Sequence, residues 1–191
     1  MLKTLPLASS SIGLRGYLLL FLPFFVLSAE VLAENYERDG WPEEGRPILS
    51  ASNKTLVLRR EPKVTASTHT VPYSAGWKVP FAKSFVRTVR FAPVTVRKSE
   101  TISTWCGKPL DMQFLEGQNI EYLQYWAEGE AAVRVNGMIC SVPIHTNPEV
   151  FGSNIPLPET EWWVQVAYAD GTSPGWLLVR DDLVEIVGRS F

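Results

Sequence analysis

Cys106, Cys140, His69 and His145 are the side chains best suited to nucleophilic or metal chemistry, and they are the chain's only cysteines and histidines. A thiol held beside an imidazole makes a nucleophile–base pair. Neither histidine stands in a recognisable catalytic or metal-ligating spacing. The acids Glu159, Glu161, Asp170, Asp181 and Asp182 crowd the end of the chain, but no spacing joins two of them into an acid–base pair. Turn positions account for the aspartates without a catalytic role. Phosphate loops, serine elbows and cofactor fingerprints are missing from the sequence. The reading is therefore of no catalytic residue, no metal and no cofactor.

What remains is binding chemistry. The chain has seven tryptophans, among them the adjacent Trp162 and Trp163. Consecutive strand residues face opposite ways, so one of this pair is expected inward and the other outward. The outward one of Trp162 and Trp163, with Tyr73 and Tyr168, is the candidate aromatic groove. Trp176 is expected to fill a core.

A second candidate is a basic face. Residues 62–99 hold seven bases and no acid, whereas residues 100–191 hold thirteen acids and four bases. Lys83, Arg87, Arg90 and Arg97 are the candidates for an anionic partner. The competing reading lays this basic stretch beside the acidic one as cross-strand pairs. The overall balance does not suggest nucleic acid.

The elements that must carry these residues begin after a leader. Lys3 and Arg15 precede an apolar run over residues 17–27, and Val31-Leu32-Ala33 offers a cleavage site. This is the pattern of a secretory signal peptide cleaved after Ala33. The run is shorter than the roughly 20 residues of a spanning helix. The expectation is a secreted or periplasmic protein, not integral to a membrane after cleavage. In such a compartment an even cysteine count points to a Cys106–Cys140 disulfide.

Residues 34–47 read as an extended leader onto a β domain at 48–191. Strand signals recur at 56–58, 77–81, 85–91, 94–96, 120–126, 132–142, 163–168 and 175–179. Asn136-Gly137 predicts a tight hairpin, because both residues accept positive φ. Convincing helical periodicity is lacking, and fourteen prolines punctuate the chain. The class is all-β, and the final 162–187 stretch is expected to close a small barrel.

Two separated pieces carry a family resemblance. Leu56-Val57-Leu58-Arg59-Arg60-Glu61-Pro62 resembles the opening of a bacterial SH3-like (SH3b) domain, which runs Leu-Asn-Val-Arg, two variable residues, Pro. Leu56, Arg59 and Pro62 fall in register, Leu58 is conservative and Val57 replaces Asn. Gly76-Trp77-Lys78-Val79 sits where the family has a glycine before a strand. Trp162-Trp163-Val164-Gln165-Val166 and the Asp170-Gly171 to Gly175-Trp176-Leu177 segment resemble the closing Trp strand, Asp-Gly turn and Gly-Trp strand. Residues 82–161 interrupt the pattern where the family has a much shorter connection.

The resemblance implies an SH3-like small barrel with a long disulfide-clipped β insertion or, as an alternative, two packed SH3-like barrels. It further implies an exported, non-catalytic binding module whose ligand is a cell-wall peptide or glycan, or a protein partner in the cell envelope. Two other readings follow: a cell-wall hydrolase or its accessory, and an envelope assembly protein docking on an anionic surface. The family's usual Cys-His hydrolase partner has no room in this chain.

Overall fold

The computed structural model describes residues 36–42, 45–180 and 182–190. The expected signal peptide, residues 1–33, and Asp181 of the expected last turn lie outside the described residues. The described residues belong to one compact unit.

Strands dominate it. The first five are β1 (Tyr36–Asp39), β2 (Arg46–Ala51), β3 (Thr55–Arg59), β4 (Thr68–Pro72) and β5 (Phe81–Arg90). Six more follow as β6 (Ala92–Thr95), β7 (Glu100–Trp105), β8 (Pro109–Phe114), β9 (Asn119–Ala127), β10 (Glu130–Val135) and β11 (Met138–Val142). One helical turn, α1 (Pro148–Phe151), precedes β12 (Glu159–Val166), β13 (Gly175–Leu178) and β14 (Val184–Ser190). Pro148 suits the first turn of α1, where no amide partner is needed.

The strands form two antiparallel six-stranded sheets and a ribbon. The first sheet runs β1-β5-β12-β13-β3-β4, the second β6-β9-β10-β11-β7-β8, and β14 pairs with β2. Every strand of the second sheet falls within the expected insertion. The ends of that insertion, β5 and β12, instead pair with each other in the first sheet.

Two cores result. Leu49, Leu56, Leu58, Val86, Trp162, Val164 and Leu177 centre the first, which the β2–β14 ribbon covers with Leu49, Ala51 and Val184. Phe114, Tyr122, Val133, Cys140 and Phe151 centre the second. The alternation in β3, where Leu56 and Leu58 are buried and Val57 is exposed, is the signature of a sheet buried on one face.

The Asn136-Gly137 hairpin forms as expected, with φ of 50° and 77° at its two residues. A Cys106–Cys140 disulfide ties the end of β7 to β11.

The expected closure of a barrel by the last strands is corrected. Among the described pairings each six-stranded sheet keeps two edges, β1 and β4 in one and β6 and β8 in the other. The physical reason is the path of the last strand. After the turn at Arg180, which accepts the amides of Leu183 and Val184, β14 pairs with β2 instead of continuing beside β13. The ribbon joins the first sheet's loops through Ala51–Trp77 and Leu49–Val79 backbone hydrogen bonds.

Trp176 is also corrected. Leu177 takes the core position on β13, and Trp176 points to the opposite face, edge-on to Phe85 with ring centres 5.5 Å apart.

Candidate aromatic cleft

Two loops at one end of the first sheet build the site. The first follows β4. Tyr73 donates its phenol to the carbonyl of Lys78 at 2.7 Å, and the amide of Trp77 returns to the carbonyl of Ser74 at 3.0 Å. Gly76 turns this loop at φ 80°, a conformation that suits glycine. The second loop joins β12 to β13. Asp170 accepts the amide and the hydroxyl of Thr172, and these bonds hold its carboxyl below the usual range. Tyr168 and Thr172 close the same loop through their backbone.

The loops meet where the amide of Ala167 donates to the carbonyl of Pro80. Pro72, Tyr73, Ser74, Trp77 and Tyr168 line the resulting cleft, which encloses about 390 Å³. Trp77 is 67% exposed and Tyr168 44%. Burial, and then the neighbouring Tyr168, raise the Tyr73 phenol above its ordinary pKa. Tyr73 therefore stays neutral at physiological pH, a rigid amphipathic wall whose hydroxyl is already engaged.

The structure brings Tyr73 and Tyr168 together and adds Trp77, which the sequence reading had placed only in a strand. The available signal was Gly76 immediately before it, marking a turn and so an outward side chain.

The ligand-binding expectation for Trp162 or Trp163 is corrected, since both are buried. Trp162 faces the first core and donates its indole N–H to Ser84 at 2.7 Å. Trp163 points to the opposite face, yet it is 0% exposed. Its register partners on that face are Phe85 and Leu178. Arg87, which shares it, donates to the carbonyl of Pro62 at 2.7 Å and so tethers the 60–67 loop there. The Trp163 indole is satisfied by Glu161 at 2.9 Å. The alternation rule placed the two rings on opposite faces correctly, but both faces are covered at this position.

The basic candidates are dispersed. Arg87 pairs with Glu37 at 2.6 Å and with Glu161, its register partner on β12, at 3.8 Å. Arg90 pairs with its own register partner, Glu159, at 3.0 Å. Both are opposite-charge cross-strand pairs. Lys83 is exposed opposite Gln165. Arg97 lies beyond β6, its guanidinium against Gly152.

The disulfide leaves no thiol at Cys106 or Cys140, which removes a cysteine nucleophile beside either histidine. His69 sits exposed on the edge strand β4. His145 approaches the Tyr122 hydroxyl at 3.2 Å through Nε2, and burial lowers its pKa. Burial, with a smaller contribution from Tyr125, pushes the Tyr122 phenol up to about 12. A phenol so held is a poor general acid or base near neutrality. Compared with known proteins, the chain has no matching family model, no matching curated relative and no matching solved structure.

Proposed function

We propose that this is an exported, non-catalytic binding module with an SH3-like arrangement of its first sheet and ribbon, enlarged by the insertion that forms the second sheet. It binds through the Tyr73–Trp77–Tyr168 cleft. The single observation that carries the reading is that cleft: three aromatic rings on two loops, about 390 Å³ in volume, with Trp77 left 67% exposed. An exposed tryptophan ringed by tyrosines is the composition of a binding hot spot. A flat aromatic wall suits a peptide or a sugar face, so the ligand is a cell-wall peptide or glycan, or a protein partner in the envelope. The disulfide supports a location outside the reducing cytosol.

Sedimentation with isolated cell wall, at low and high salt, tests this. Binding through the cleft is mostly apolar and survives salt. Steep loss with salt favours the anionic-surface reading through exposed Lys83 and its neighbours, since the Debye length is ~8 Å at physiological ionic strength. No sedimentation at either salt leaves a protein partner as the ligand.

A further inference from the structure

A second cleft, apart from the aromatic one, lies at the seam between the two cores. It encloses about 150 Å³ and is lined by Pro42, Val86, Tyr125, Leu157 and Thr160 among others, with Gln124 in its wall. Gln124 is 3% exposed, and neither its amide nitrogen nor its amide oxygen has a hydrogen-bond partner among the described residues. Burying a carboxamide without partners is unfavourable, and native proteins rarely do so without a reason.

The backbone places Gln124 there by the first of two bulges. Against β10, β9 carries Leu123 as an extra residue between the Tyr122–Val133 and Gln124–Ala132 pairs, and Trp126 as another between Tyr125–Ala131 and Ala127–Glu130. Ala131 and Val133 belong to the second core, so Ala132 and its partner Gln124 face away from it. That direction is toward Val86 of the first core. The Leu123 carbonyl, freed by its bulge, accepts the hydroxyl of Thr88 on β5 at 2.6 Å and ties the two halves at this point. Bulges that re-aim one side chain recur beside functional sites.

We propose that the seam cleft is a binding site for a small neutral group presenting a hydrogen-bond donor and acceptor on one edge, a primary carboxamide or a lactam. A glutamine amide offers its N–H and C=O side by side, and such an edge pairs with both at once. A trans peptide bond presents them on opposite edges and satisfies only one. Among the described residues none that lines the cleft is charged, so these residues offer an ion no compensation for its lost hydration. A void of about 150 Å³ accepts a group of benzene size. The amide itself is closed to solvent, so the ligand enters as a wall side chain turns aside; Leu157, 75% exposed, is the wall residue placed to do so.

The test is a titration of the full-length, nitrogen-15-labelled protein, read on the side-chain amide signals of Gln124, which Gln124→Met identifies by their loss. Propionamide and 2-pyrrolidinone are expected to give saturable shifts, and the tighter of the two names the open-chain or the ring form. N-methylacetamide and propionate are expected to bind about tenfold more weakly or worse, the loss of one hydrogen bond. Gln124→Met is expected to melt no lower than the wild type and to give no response to propionamide elsewhere in the seam. Absence of a saturable shift, or equal shifts from all four probes, overturns the proposal. So does a Gln124→Met protein that melts well below the wild type, because the amide would then be satisfied by structural water.

Discussion

Trp162 and Trp163 are neighbours on one strand, point to opposite faces of one sheet, and are both buried. The first anchors the core under the β2–β14 ribbon, and the second is fully enclosed on the other face. Trp163→Ala should therefore cost about 3–5 kcal/mol, as for other enclosed aromatics. Trp176→Ala, at a half-buried ring on the same face, should cost less. Urea unfolding of the two variants measures both, and an unchanged midpoint for Trp163→Ala would show that the ring is not enclosed.

Trp77 is the counterpart, exposed and lining the aromatic cleft. Trp77→Ala should leave stability within about 0.5 kcal/mol, as for a surface site. Its binding to isolated wall should fall by 2 kcal/mol or more, roughly the loss of a hot-spot side chain. Unfolding and sedimentation on the same preparation check the two halves together.

The Cys106–Cys140 bridge closes a loop of sequence separation 34. In the chain-entropy description such a loop is worth about 3–4 kcal/mol. Replacing both cysteines by alanine should lower unfolding stability by that amount. Thiol labelling of the unreduced, denatured protein should find none free.

Tyr122 gives an alkaline signature. Its phenol ionises near 12 in the folded protein against an ordinary 10.0. The folded state keeps a proton that the unfolded state releases, so this contribution is complete below pH 10 and is lost as pH rises toward 12. Tyrosinate absorbance should show a phenol titrating near 12, and Tyr122→Phe should remove it.

His145 acts in the opposite direction. Burial holds its pKa below the ordinary 6.5, so the unfolded state takes up the proton first on acidification. Its contribution is present above pH 6.5 and is lost as pH falls from there through the folded pKa. The melting temperature of His145→Gln should depend less steeply on pH in that window than the wild type's.

Much of the β architecture was legible because short-range chemistry sets it. Asn136-Gly137 dictates its own turn, and Leu56 and Leu58 declare an inward face through strict alternation. The disulfide followed from the expected compartment and the even cysteine count. The closing strand was misplaced because pairing partners are chosen across the chain: nothing near Val184 states that β14 will meet β2. The enclosure of Trp163 is hidden for a similar reason, since its cross-strand partner Phe85 is distant in sequence. Gln124 was invisible because its direction depends on the bulge at Leu123, which shifts the alternation without any glycine or proline to mark it.

The architecture is nested, and nesting imposes an order in time. Ser190 meets the Arg46 carbonyl across 144 residues, whereas every ladder of the second sheet closes inside residues 92–142. Closing a short loop loses less chain entropy, and local contacts assemble sooner than distant ones. The inner sheet can therefore complete itself, disulfide included, while β5 still waits for β12. Until that partner arrives, the β12-facing side of β5 has no strand beside it, the kind of edge through which slowly folding β proteins self-associate. The stretch that looks like an interruption of the first sheet thus sets the interval during which this chain is most vulnerable to misassembly.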